Sequence, residues 1–207
     1  MRYLLPSFVL LLCVGSLGAD VRERLLHELH AKGQRGRGVK VAILDTGFRG
    51  YREHFHKNVL AKSFREDGNL EAKESNHGLL CAEIVRTVAP DAELLFANWE
   101  PEQPQAFLKA LRWAKEQGAT VISCSVTMPG WNDSSGTGSY SDEIKKILGT
   151  GSEPTDVVFV AAAGNFAQRH WAGSFSGTEQ WHEWQPGERN QRLCAGLGES
   201  LVVEFRA

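Results

Sequence analysis

The chain has 207 residues, 42% of them hydrophobic and 23% charged, which suits one globular domain or one and a fraction and excludes a disordered or fibrous protein. Its 23 basic and 25 acidic residues leave a formal net charge of −2, so nothing electrostatic draws it to nucleic acid or to an anionic membrane. The four cysteines, Cys13, Cys81, Cys124 and Cys194, form no CxxC pair, and a zinc site has no support from their spacing.

Arg2, a nearly continuous apolar run over 4–17 and the small residues of Ser16-Leu17-Gly18-Ala19 predict a signal peptide over 1–19. The run is too short to cross a bilayer. A secreted chain is expected, beginning near Ala19 or Asp20 and free of the membrane once the leader is removed. Cys13 suits a lipoprotein anchor poorly, because the bulky Leu11 and Leu12 precede it. Secretion permits disulfides. Cys81, in a predicted helix, and Cys124, in a predicted strand, nevertheless read as small buried apolar residues.

Val21, Leu25, Leu26 and Leu29 recur at helical spacing and predict a helix over 20–32, with Asp20 placed to cap it. The glycines of 33–38 end that helix and lead into an apolar, β-branched strand over 39–44. Residues 49–76 read as polar loop with a strand-like piece over 59–64. Then follow a helix over 77–88, a strand over 93–98, a helix over 103–117 stopped by Gly118, and a strand over 119–125. A Gly/Ser-rich loop over 128–140 precedes a helix over 141–148, capped by Ser141 or Asp142, and a strand over 157–162. This alternation predicts βαβ units and the α/β class, a parallel sheet with helices on both faces. After Asn165 the rhythm breaks. Trp171, Trp181 and Trp184 and the short apolar runs of 193–205 read as the start of a β-rich segment.

Three residues stand where such a sheet collects its chemistry. Asp45 ends the first strand in Asp45-Thr46-Gly47, at the carboxyl edge where open α/β sheets bind ligands. By itself an Asp there is often a turn former. Asp-Thr-Gly also occurs in aspartic proteases, but their mechanism needs a second carboxylate sharing the proton, and the chain holds no second motif of that kind. His77 is followed by Gly78 as a helix opens, and a glycine there lets backbone or substrate come close. The other histidine groups, His54 with His56 and His27 with His30, lack the i, i+4 spacing of a helical metal pair. Asn165 ends the strand of Ala161-Ala162-Ala163-Gly164-Asn165, and a side-chain amide there can stabilise a developing oxyanion by about 2.7–4 kcal/mol.

Asp45 after Val39-Lys40-Val41-Ala42-Ile43-Leu44, His77-Gly78 and Ala-Ala-Ala-Gly-Asn165, in this order, resemble the subtilisin-like serine proteases over residues 36–166. The resemblance implies that Asp45 orients and stabilises the imidazole, that His77 is the general base, and that Asn165 donates to the oxyanion. It implies that Ser125, in Val121-Ile122-Ser123-Cys124-Ser125-Val126, lies near the specificity pocket. Two departures stand out: Leu79 where the family usually has threonine, and Thr127-Met128-Pro129-Gly130 where it has a Gly-containing segment that pairs with substrate.

The larger departure is the nucleophile. In the family order it follows the Asn, within a Gly-Thr-Ser helix start. Ser174, Ser176 and Ser200 lack that setting, and so does Ser139 upstream; none is assigned. The expected organisation is a signal peptide over 1–19, a partial peptidase domain over 20–166, and a Trp-rich β segment over 167–207 belonging to a truncated insertion. A protein or peptide substrate is implied. No metal or cofactor is expected from the sequence; the resemblance makes calcium possible but identifies no site, and the oligomeric state is not set. The alternative is a secreted, non-catalytic peptide- or glycan-binding protein on the same fold, with Trp171, Trp181 and Trp184 as its platform.

Overall fold

A computed structural model describes residues 19–55, 59–71, 75–128 and 136–164. The chain runs through α1 (Ala19–Ala31), β1 (Lys40–Asp45), α2 (Tyr51–Phe55), β2 (Val59–Ser63), α3 (His77–Val88), β3 (Glu93–Asn98), α4 (Pro104–Glu116), β4 (Val121–Cys124), α5 (Ser139–Leu148) and β5 (Val158–Ala161). The strands form one parallel sheet in the order β2-β3-β1-β4-β5. β1 leads toward β2 and β3 on one side, while β4 leads to β5 on the other. The crevice past the carboxyl ends of β1 and β4 is thus a topological switch point, where such sheets bind ligands.

The period-2 alternation of the strands divides two apolar layers. Ala42 and Leu44 of β1, Leu95 and Ala97 of β3 and Ile122 and Cys124 of β4 join Phe107, Leu108 and Leu111 of α4 and Ile147 and Leu148 of α5. On the other face, Val41 and Ile43 of β1 and Leu94 and Phe96 of β3 meet Leu79, Ala82 and Val85 of α3. The helices therefore cover both faces, as the βαβ rhythm predicts. β1 is buried on both: its residues from Val41 to Asp45 are at most 1% exposed, which is why it reads as a continuous apolar run rather than an alternating one.

Several local expectations change. The polar stretch of 49–76 contains the short helix α2, whose Phe55 packs edge-on to Phe96 at 5.4 Å between ring centres; Phe48 stacks on the same ring at 4.7 Å. Asp20 lies inside α1 rather than capping it. α5 begins at Ser139, two residues before the expected start. Gly138 precedes it with no side-chain cap, and Ser141, which is buried, and Asp142 lie within the helix instead of capping its start. β4 stops at Cys124, which leaves Ser125 just past its end. The proposed β-rich segment of 167–207 and Trp171, Trp181 and Trp184 lie outside the described residues.

Candidate functional site

The site begins with a carboxylate that the strand carries into the interior. Asp45 is the last residue of β1 and is 0% exposed. Such a group is costly to bury unless it is bonded. Its Oδ1 accepts the amide of Thr46 at 2.8 Å, and its Oδ2 lies 2.7 Å from Nδ1 of His77. Burial nonetheless dominates and raises the carboxyl's pKa above its ordinary value, against the opposing pull of His77 and of the Thr46 and Gly47 amides.

His77 opens α3, and the turn that delivers it is pinned at several points. Its own amide donates to Ser75 Oγ at 3.3 Å, and the Gly78 amide donates to Gly47 O at 3.0 Å. The close approach requires glycine: a Cβ on Gly78 would stand 2.7 Å from Asp45 Cβ, 2.7 Å from Phe48 Cε1 and 2.8 Å from Gly47 O. The imidazole itself is 55% exposed. The carboxylate holds Nδ1, so Nε2 is the nitrogen left to exchange a proton with a further group.

Ser125, exposed beyond β4, lies near enough to Cys81 for its hydroxyl to favour the thiolate, and Cys81 Sγ lies 4.0 Å from His77 Nδ1. The structure thus gathers Asp45, His77 and Ser125 at one sheet edge. Asn165 lies outside the described residues, which end at Gly164.

A family model, the subtilase family (peptidase S8), matches residues 36–192. The chain belongs to the subtilase family. Solved structures similar to it include MycP1 with its N-terminal propeptide removed, 25% identical with a TM-score of 0.49, over 68% of this chain and 46% of that one. A lanthipeptide protease is 22% identical with a TM-score of 0.40, over 48% of this chain and 32% of that one. The PatG macrocyclase domain is 15% identical with a TM-score of 0.47, over 76% and 61%. No curated protein matches the sequence. This subtilase spans from about a third to three-fifths of the length of these solved chains, and its membership rests on the family match.

Two residues at the subtilase site are given no site role by the sequence reading. Asn98 ends β3 in register with Asp45 and is 0% exposed. Its Nδ2 donates to Asn69 O at 2.9 Å and Leu70 O at 3.2 Å. Leu70 O also accepts the Phe48 amide at 3.1 Å, so Asn98 ties down the loop that follows Asp45. The signal for it was a polar residue ending the apolar run Leu94-Leu95-Phe96-Ala97.

Cys81 is the second. It packs partly against the α3 core, as expected of a small apolar residue, but it also sits one helical turn beyond His77, and that i, i+4 spacing was the available signal. Burial raises its thiol pKa, with the Asp45 charge adding and the Ser125 hydroxyl opposing. Cys124, by contrast, is buried with its thiol pushed up to about 12 and directed at Val126 O, 3.8 Å away. Asp45, His77 and Cys81 are the group among the described residues whose ligand atoms, all within 4.8 Å of one another, could hold a metal ion.

Proposed function

We propose that this chain carries the acid and base of a secreted serine endopeptidase working by Asp-His-Ser acyl transfer on protein or peptide substrates. The single observation that supports this most is the 2.7 Å contact between the buried carboxylate of Asp45 and Nδ1 of His77. A carboxylate on Nδ1 fixes the tautomer with Nε2 unprotonated and stabilises the imidazolium that forms when Nε2 takes a proton from a nucleophile. Asn165 is the proposed oxyanion donor. Ser125, past the end of β4 at the switch point, is the proposed substrate contact. Secretion through the leader over 1–19 belongs to the same proposal; no helix among the described residues is long and apolar enough to cross a membrane.

The nucleophile is the open position. Cys81 is unsuited to it: its Sγ lies on the Nδ1 side of the ring, where the proton is already committed to Asp45, and burial disfavours its thiolate. None of the serines of the chain stands in a Gly-Thr-Ser helix start, and we place the nucleophile outside these 207 residues.

A fluorophosphonate probe tests the proposal, applied to the 207-residue chain and to the product of the reading frame extended past residue 207. Labelling of the extended form alone, abolished by His77→Ala, is expected. Labelling of the shorter chain would overturn the placement of the nucleophile. Labelling of neither form would favour the non-catalytic binding protein.

A further inference from the structure

We propose that Asp45, His77 and Cys81 together form an inhibitory site for a borderline-soft divalent cation of the zinc class. The donor set, one carboxylate, one imidazole and one thiol, is a mixed O, N and S set that suits zinc and its neighbours and not magnesium or calcium, which take oxygen ligands. His77 and Cys81 share one side of α3 a single turn apart, and Asp45 is anchored at the end of the central strand. The ligand atoms already lie within 4.8 Å of one another.

The adjustment needed is confined to side chains of three residues. With metal–sulfur and metal–nitrogen distances of about 2.3 and 2.0 Å, tetrahedral donors stand roughly 3.3–3.5 Å apart. Nδ1 and Sγ are now 4.0 Å apart, and Nδ1 and Oδ2 are 2.7 Å apart. The thiol must close on Nδ1 by about half an ångström and on the Asp45 carboxylate, which is within 4.8 Å of it, by up to about 1.3 Å, while the Asp-His pair opens by about half an ångström to reach tetrahedral spacing. An ion can approach beside His77, whose ring is 55% exposed, and that open side leaves a fourth position to water. A divalent charge placed between Cys81 and Asp45 also offsets what disfavours the thiolate there, namely burial and the neighbouring carboxylate.

The protons balance simply. Cys81 gives its S–H proton to solvent and ligates as thiolate. The imidazole stays neutral, with its proton moving from Nδ1 to Nε2 so that the Nδ1 lone pair faces the ion. Asp45 exchanges its hydrogen bond to His77 for a metal bond. One proton is released per ion bound. Nε2 then carries a proton and cannot accept one from a nucleophile. This inhibitory consequence rests on the serine-protease reading, whereas the binding does not.

Cobalt(II) substituting for zinc gives a readout independent of activity. The 207-residue chain is expected to bind one Co²⁺ with thiolate-to-cobalt charge-transfer absorption, displaced by Zn²⁺. The band should vanish in Cys81→Ser and persist in Cys194→Ser. His77→Ala should weaken affinity by at least about 100-fold, since loss of an outer partner alone costs roughly 10–100-fold. A second measurement needs no variant: Zn²⁺ should protect Cys81 from iodoacetamide, read by mass spectrometry. A charge-transfer band that follows Cys194, or alkylation of Cys81 at the same rate with and without Zn²⁺, would overturn the site. If the metal binds as expected while the extended chain takes no fluorophosphonate, the cation site stands and the protease reading fails.

Discussion

Two aspartates, Asp45 at the end of β1 and Asp156 in the loop before β5, are held in opposite ways. Asp45 is wholly buried, meets one imidazole and one close backbone amide, and has its pKa raised chiefly by burial. Asp156, between α5 and β5, is solvated. Its Oδ2 accepts the amides of Thr150 at 3.1 Å, Gly151 at 2.7 Å and Glu153 at 3.0 Å, and its pKa is lowered, the Glu153 amide being the largest cause. The second arrangement closes a loop: each amide stabilises the charged form, and folding and ionisation favour each other. In the first they oppose each other. A carboxylate kept charged against burial is what a reacting site requires, because the charge is then available to an imidazolium that forms beside it.

The sharpest way to break this comparison is Asp45→Asn in the extended form that the protease proposal calls for. An amide of the same shape can still accept from Nδ1, but it can instead donate and fix the wrong tautomer, so kcat is expected to fall by about 10⁴-fold. The unfolding midpoint should hold or rise, since an uncharged group is then buried. A large loss of stability with little loss of kcat would make Asp45 a structural residue like Asp156.

Gly78→Ala comes next. The added Cβ meets Asp45 Cβ, Phe48 and Gly47 O at 2.7–2.8 Å, and two of those three belong to backbone or to a short, anchored side chain that cannot swing away. Overpacking of this kind costs about 1–3 kcal/mol, and the relief available is a shift of the start of α3 that carries His77 away from Asp45. Urea unfolding reads the first effect. The Nδ1–H proton resonance of His77 reads the second, and should move or disappear. An unchanged resonance would show that α3 can yield without disturbing the pair.

The parts of this site legible in sequence were those set by local pattern. β1 ends in Asp45 because an apolar run gives way to Thr-Gly, and His77 starts α3 because the helical period begins there. The parts that escaped depend on register between distant segments. Asn98 faces the loop after Asp45 only because β1 and β3 pair Asp45 with Asn98. The helix α2 forms in a stretch with polar composition because Phe55 finds Phe96. The cradle of Asp156 was invisible for the same kind of reason: Gly149, with φ +94, has Asp156 Oδ1 1.8 Å from where its Cβ would be. The glycine admits the carboxylate, and nothing in Glu153-Pro154-Thr155-Asp156 announces it.

The smallest expected effect lies at that second aspartate and separates the two by sign. The folded pKa of Asp156 is below its ordinary value of 3.8, so its contribution to stability is present above that value and is lost as pH falls through the depressed folded value. Asp45 runs the other way. Its folded pKa lies above 3.8, so its contribution is present below that value and is lost as pH rises through the raised one. Asp156→Asn keeps an acceptor oxygen in the cradle but removes the charge. Urea midpoints measured from pH 7 downward should therefore show the natural chain ahead of Asp156→Asn by a constant margin above pH 3.8, and the margin should shrink as the carboxylate protonates. For Asp45→Asn the margin should change in the opposite direction, the variant gaining on the natural chain as pH rises through the window above 3.8. Parallel margins for the two variants would mean that hydrogen bonding, rather than burial, governs Asp45, and the distinction between the two carboxylates would fail.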